Sequence, residues 1–247
     1  MSQAPRRTGF SGPTLVRLLA RLTDADVPEP GNSLSSQLSQ WLGWADAIAL
    51  SAALKGSPPA VAPDAQASDS TEEERECARV HTALANAARE DGAGAGRRRG
   101  PARPSALPDP MEAQVDYAVY RQRYVTQQQS METAIGNLRG RLRIALSGRA
   151  PGMAKLAMVD TVMERVLGAR EQSLLGTVPA LLEAHFQRLR QAEAAALAEA
   201  QAAGQPAPVT AGAWLAVFRK DMQSVLLAEL DLRFQPIEGL LAALRDS

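Results

Sequence analysis

The sequence predicts an all-α protein: a long antiparallel three-helix, coiled-coil-like bundle with a smaller N-terminal helical module. Three observations lead there. From Tyr117 the large residues recur at Tyr124, Met131, Ile135, Leu138 and Leu142. These steps of three, four and seven average about 3.5 residues, the period of helices packed along one another. Gln128 occupies one slot of that stripe. Aromatic residues make up only 4% of the chain, and alanine and leucine dominate, which suits small-residue helical packing. No period-two run of β-branched residues announces a strand.

Each element has its own signals. Ser11-Gly12-Pro13 opens a first helix carrying Leu15, Val16, Leu18, Leu19 and Leu22, and Pro28 to Gly31 ends it. Ser33 caps a second, whose apolar or small positions run Leu34, Leu38, Trp41, Ala45, Ile48 and Ala52. Trp44, Leu42 and Leu50 widen that face, so the helix is expected to lie between partners. Gly56-Ser57-Pro58-Pro59 stops it. Ser70-x-x-Glu73 reads as a capping box for a charged helix from Thr71 to Glu90.

Residues 92–110 are Gly-, Arg- and Pro-rich and read as a flexible linker. Asp109-Pro110 then opens a helix expected to reach Ser147. Pro151 opens the next, with a kink at Pro179 or a split at Gly176-Thr177. A loop follows near 204–211. The last helix runs from about Ala211, with a kink at Pro236. The domain reading is a disordered N-terminus (1–10), a helical module (11–91), the linker, and the bundle (111–247).

The 247 residues can bury a sizeable core. With 27 basic and 27 acidic residues, the whole chain has no bias toward nucleic acid or anionic membrane. One cysteine, Cys77, suits a reducing compartment, and no apolar segment follows Arg6-Arg7 as a secretory signal would require. Residues 38–54 are the best membrane-span candidate, yet they are shorter than about 20 residues and contain Gln40 and Asp46. The expectation is a cytoplasmic protein with no direct membrane span.

The catalytic inventory is sparse. Cys77-x-x-x-His81 puts a thiol and an imidazole one turn apart, but a zinc site needs three or four ligands and His185 stands alone. Both residues are read as ordinary helix-surface groups. Asp221 and Glu229 read as solvated partners of Arg219, Lys220 and Arg233, and Glu164 and Glu171 as contacts for a basic neighbour. No phosphate loop, dinucleotide fingerprint or nucleophile elbow is present. The expectation is no enzyme, with no catalytic residue, metal or cofactor. Gly136-x-x-x-Gly140 reads as a place where a neighbouring helix comes close.

Two features point to binding. Trp41 and Trp44 are the candidate partner anchors, with core packing as the plainer reading. Arg97, Arg98 and Arg99 in the linker, with Arg139, Arg141 and Arg143, form candidate contacts for phosphate or an acidic partner. Residues 121–149 hold six arginines against one acid, Glu132.

The segment Leu38-Ser39-Gln40-Trp41-Leu42-Gly43-Trp44-Ala45-Asp46-Ala47-Ile48-Ala49-Leu50-Ser51-Ala52-Ala53-Leu54 resembles the signature of a proteobacterial domain-of-unknown-function family. So do Tyr120-Arg121-Gln122-Arg123-Tyr124, residues 174–182, residues 218–223 and residues 228–233. The resemblance covers most of the chain except the linkers and carries no assigned activity and no functional residues. It implies a cytoplasmic accessory of an envelope machine with TolQ/MotA-like proton-channel subunits and OmpA-like peptidoglycan-binding proteins. The functional expectation is a non-enzymatic helical scaffold or adaptor. It would bind a protein partner, including a membrane protein, or self-associate through apolar helix faces. The alternative is a nucleic-acid-binding accessory using the Arg-rich linker and the basic 121–149 helix.

Overall fold

A computed structural model describes residues 13–25, 33–56, 70–90, 116–206 and 210–247. Among them are eight helices and no strand: α1 (Thr14–Thr23), α2 (Leu34–Trp41), α3 (Trp44–Lys55), α4 (Ser70–Glu90), α5 (Tyr117–Ser147), α6 (Pro151–Leu175), α7 (Val178–Ala202) and α8 (Ala213–Arg245). The protein is all-α. Arg97, Arg98, Arg99, residues 1–10 and the 92–110 linker lie outside the described residues.

Local chemistry sets the helix ends. Ser33 caps α2, its hydroxyl accepting from the Ser36 amide. Asp116 caps α5, accepting from the Ala118 amide at 3.0 Å. This places the start of α5 at Tyr117 rather than near Pro110, because Asp116 is extended and its carboxylate takes an otherwise orphaned donor. Pro151 opens α6, where its missing N–H costs nothing. Gly212 enters α8 in the left-handed region (φ 86°), which favours glycine. The cap of α8 comes from another helix: Glu193 on α7 accepts from the Gly212 amide at 2.6 Å and the Trp214 amide at 2.9 Å.

One expectation about helix continuity changes. The helix through Trp41 and Trp44 is two helices, because Leu42 and Gly43 are extended. Glycine is a weak helix former, and Asp46 in the next turn favours a fresh N-terminus. Between α6 and α7 the chain splits at Gly176-Thr177, one of the two outcomes expected. α8 runs through Pro236 as one helix of 33 residues.

Side-chain pairings fix the helix directions. Arg139 and Arg143 on α5 meet Asp160 and Glu164 on α6, while Gln128 reaches the Leu175 carbonyl, so α6 runs antiparallel to α5. α7 continues in that direction, its Pro179 carbonyl accepting from the Tyr117 hydroxyl. His185 with Asp221 and Glu193 with Gly212 make α8 antiparallel to α7. α8 is therefore parallel to α5, as Tyr120 with Arg219 and Tyr124 with Glu229 require. α4 lies antiparallel against the second half of α8, through Glu74 with Arg245 and His81 with Asp231. α1 packs on α7 and α8, and α3 on α6.

A single apolar core runs through these helices. Tyr117, Tyr120, Tyr124, Met131, Ile135, Leu138 and Leu142 of α5 are all buried in it, so the 3.5-residue stripe is the core face. Phe186 stands edge-on to Phe218 at 5.0 Å and to Trp214 at 4.7 Å, and Tyr120 packs on Phe218 at 5.2 Å. Burying one such side chain is worth about 1.5–3 kcal/mol, so this aromatic group dominates the α5–α7–α8 end. Among the described side chains, α6 gives the core only Ala157 and Leu175 as buried members, and α2 and α3 give none.

Candidate interaction surface

α3 has two unlike sides. Asp46, whose carboxylate accepts from Arg165 at 3.1 Å, and buried Ala53 face α6. The opposite side carries Trp44, Ile48, Ser51 and Lys55, at steps of four, three and four that place them in one stripe. Trp44 is 83% exposed and Ile48 54%, and Leu54 beside them is 53% exposed. A shallow depression lined by Ile48, Ser51, Ala52, Lys55 and Gly56 adjoins them. A grouped exposure of large apolar side chains is informative where a single one is not.

The structure separates the two tryptophans singled out from sequence. Trp41 is half-buried, with the Arg170 guanidinium 5.6 Å from its ring centroid. Trp44 lies in solvent, so core packing does not describe it. The expectation that this segment sits between partners is met on one side only.

The basic helix is largely spent on internal pairing. Arg139 bonds Asp160 at 2.6 Å, and Arg143 bonds Glu164 and approaches Asp160 at 3.4 Å. Both arginine side chains are mostly buried. Arg141 meets Glu73 at 3.1 Å and Glu76 at 3.8 Å on α4. Glu73, read as half of a capping box, is buried beneath Arg141 instead. Gly136 and Gly140 admit no close helix, since a methyl group at either would meet nothing within 4 Å.

A buried polar network was not legible as such. Glu229, expected to be solvated, is 0% exposed. Its carboxylate accepts from the Tyr124 hydroxyl at 2.6 Å, the Gln128 amide at 3.0 Å and Arg233 Nε at 2.9 Å. Arg233 reaches on to Glu171 at 3.0 Å. Burial, then the Glu229 charge, pushes the Tyr124 hydroxyl far above its ordinary pKa, so it stays a donor. A carboxylate with its lone pairs so committed holds helices together and is poorly placed to take a proton from a substrate. A signal existed: Leu215, Met222 and Glu229 recur by sevens on α8, and Gln128 breaks the stripe of α5. The two polar interruptions meet.

Beside this network a cleft of about 300 Å³ opens between α5, α6 and α8, lined among others by Glu132, Gly136, Arg139, Glu164, Glu171 and Arg233. Its two arginines are the ones already paired with carboxylates.

The remaining titratable candidates are also engaged. Cys77 is buried rather than on the helix surface, and burial with the neighbouring Glu73 charge raises its thiol pKa to about 11. Such a thiol is a poor nucleophile at neutral pH. His81 packs edge-on to Phe234 and lies 3.5 Å from Asp231. His185 is not alone, meeting Asp221 at 2.9 Å, and Asp221 also approaches Arg21. Among the described residues, no three His, Cys, Asp or Glu side chains are grouped to hold a metal, and no helix is long and apolar enough to cross a membrane.

These features define an all-α protein with a closed polar interior and one apolar helix turned outward. The chain belongs to the family described as "Protein of unknown function (DUF3348)", whose model matches residues 1–246. Neither a curated protein nor a solved structure matches it.

Proposed function

We propose that this protein is a non-enzymatic helical adaptor that docks a protein partner through the outward face of α3. The observation that carries this reading is the exposure of Trp44, Ile48 and Leu54 on a helix whose opposite side packs on α6. Large apolar groups left in water in a cluster gain from being covered. The internal commitment of Glu229, His185 and Cys77 supports a non-catalytic role. The finer reading, a cytoplasmic accessory of an envelope machine with TolQ/MotA-like and OmpA-like components, rests on the family resemblance alone.

The test is co-purification of the full chain with candidate machine components, beside a Trp44→Glu variant. The reading expects a complex that the variant loses while its helical content is unchanged. Equal capture by both proteins would remove α3 as the docking face. The nucleic-acid alternative draws no support from Arg139 and Arg143, whose carboxylate partners would have to be displaced by phosphate.

A further inference from the structure

We infer that α2 and α3 form a detachable strap, clasped on α6 at two points, that opens as a unit while the core stays folded. What docks on the outer side of α3 does not enter: the strap is held by its inner side alone.

The N-terminal helices are attached in opposite ways. α1 buries Leu15 and Leu22 in the core and packs Leu18 and Leu19 against it, and Arg188 on α7 donates to its Leu22 carbonyl. No described side chain of α2 or α3 joins that core. The inner side of α3 is Asp46, Ala49, Leu50 and Ala53, spaced as one helix face, and of these only Ala53 is buried. Alanine carries little apolar area, so burial holds α3 weakly. A segment with few buried apolar contacts opens locally, at a lower free energy than the whole fold.

Two polar clasps set the docked position. Arg165 on α6 donates to the Asp46 carboxylate at 3.1 Å, and the Arg170 guanidinium lies 5.6 Å from the Trp41 ring centroid. Their order is opposite along the two segments, which lays the strap antiparallel on α6. One clasp sits on each side of the extended Leu42-Gly43 joint, so each helix is tied and the two release together. Water reaches the charged clasp, the Arg165 side chain being 61% exposed, and such a pair contributes little. Opening breaks neither the Glu229 network nor the aromatic group of α5, α7 and α8, because no strap residue takes part in either. The strap is thus a cover for α6 supplied by the chain itself, and its opening bares the side of α6 that bears Arg165 and Arg170.

The test is thiol labelling of the full-length chain carrying Ala53→Cys, with circular dichroism as the folding control. Native Cys77 lies in the core and reports core opening in the same sample. Ala53→Cys is expected to react at least about tenfold faster than Cys77, because it needs only the strap to open. Adding Asp46→Ala, or separately Arg170→Ala, should speed labelling at position 53 about two- to fivefold and leave the Cys77 rate unchanged. The Arg170 substitution reads the strap as a unit, since its clasp lies on α2 and its probe near the far end of α3. Labelling at position 53 no faster than at Cys77 would overturn the inference, as would a rate there indifferent to Arg170→Ala.

Discussion

The junction of α5 with α8 and the outer face of α3 are built from opposite uses of similar residues. At the junction even a carboxylate is drawn inside: Glu229 has no exposure and four hydrogen bonds from three side chains. On α3 even a tryptophan is left outside. Burial costs a charged group heavily unless partners wait for it, and exposure costs an apolar one unless something covers it. The first region supplied its partners within the chain. The second has none within the described residues, which makes it the place to look for function.

The comparison can be broken most forcefully at the junction. Glu229→Ala would leave the Tyr124 hydroxyl and Arg233 Nε buried without their acceptor, with Glu171 still holding the far end of Arg233, and should cost about 3–5 kcal/mol in urea unfolding. A loss under 1 kcal/mol would mean the network is solvated. Phe218→Ala, opening the aromatic group, should cost a similar 3–5 kcal/mol or so by the same measurement. Glu193→Ala removes the borrowed cap of α8 and should cost about 1 kcal/mol, with faster amide exchange at Gly212 and Trp214. Trp44→Ala should change unfolding free energy by less than about 0.5 kcal/mol in dilute protein, the mark of a side chain that folding does not use.

Alkaline pH sharpens the contrast another way. The Cys77 thiol is raised to about 11 and the Tyr117 hydroxyl to about 12, both chiefly by burial. The unfolded groups release protons at lower pH than the folded ones. Their stabilising contribution is therefore complete below about pH 8.5 and declines as pH rises through 11 and 12. Cys77→Ala should flatten the first part of that decline in a pH series of thermal melts.

Much of the bundle was legible because a stripe of large residues has one physical use. Tyr117, Tyr124, Met131 and Leu138 recur at heptad steps, and a helix bearing them must bury that side. The segment around Trp41 and Trp44 misled for the same reason. A helix apolar on every side predicts burial on every side, and periodicity cannot say that one side is left open. Glu229 misled oppositely, since a charged residue near arginines reads as solvated until tertiary packing brings Tyr124 and Gln128 to it. The pairing of Arg139 and Arg143 with Asp160 and Glu164 required knowing that α6 folds back on α5.

The central claim is that α3 lies outside the chain's own core and is covered by docking. Hydrogen–deuterium exchange on the full-length protein, alone and in complex with a captured partner, tests it most directly. The account predicts that amides of α3 exchange faster than those of α5 and α8 in the protein alone and slow when a docked partner is bound. Protection of α3 equal to that of α5 and α8 in the protein alone, and unchanged by the partner, would contradict it.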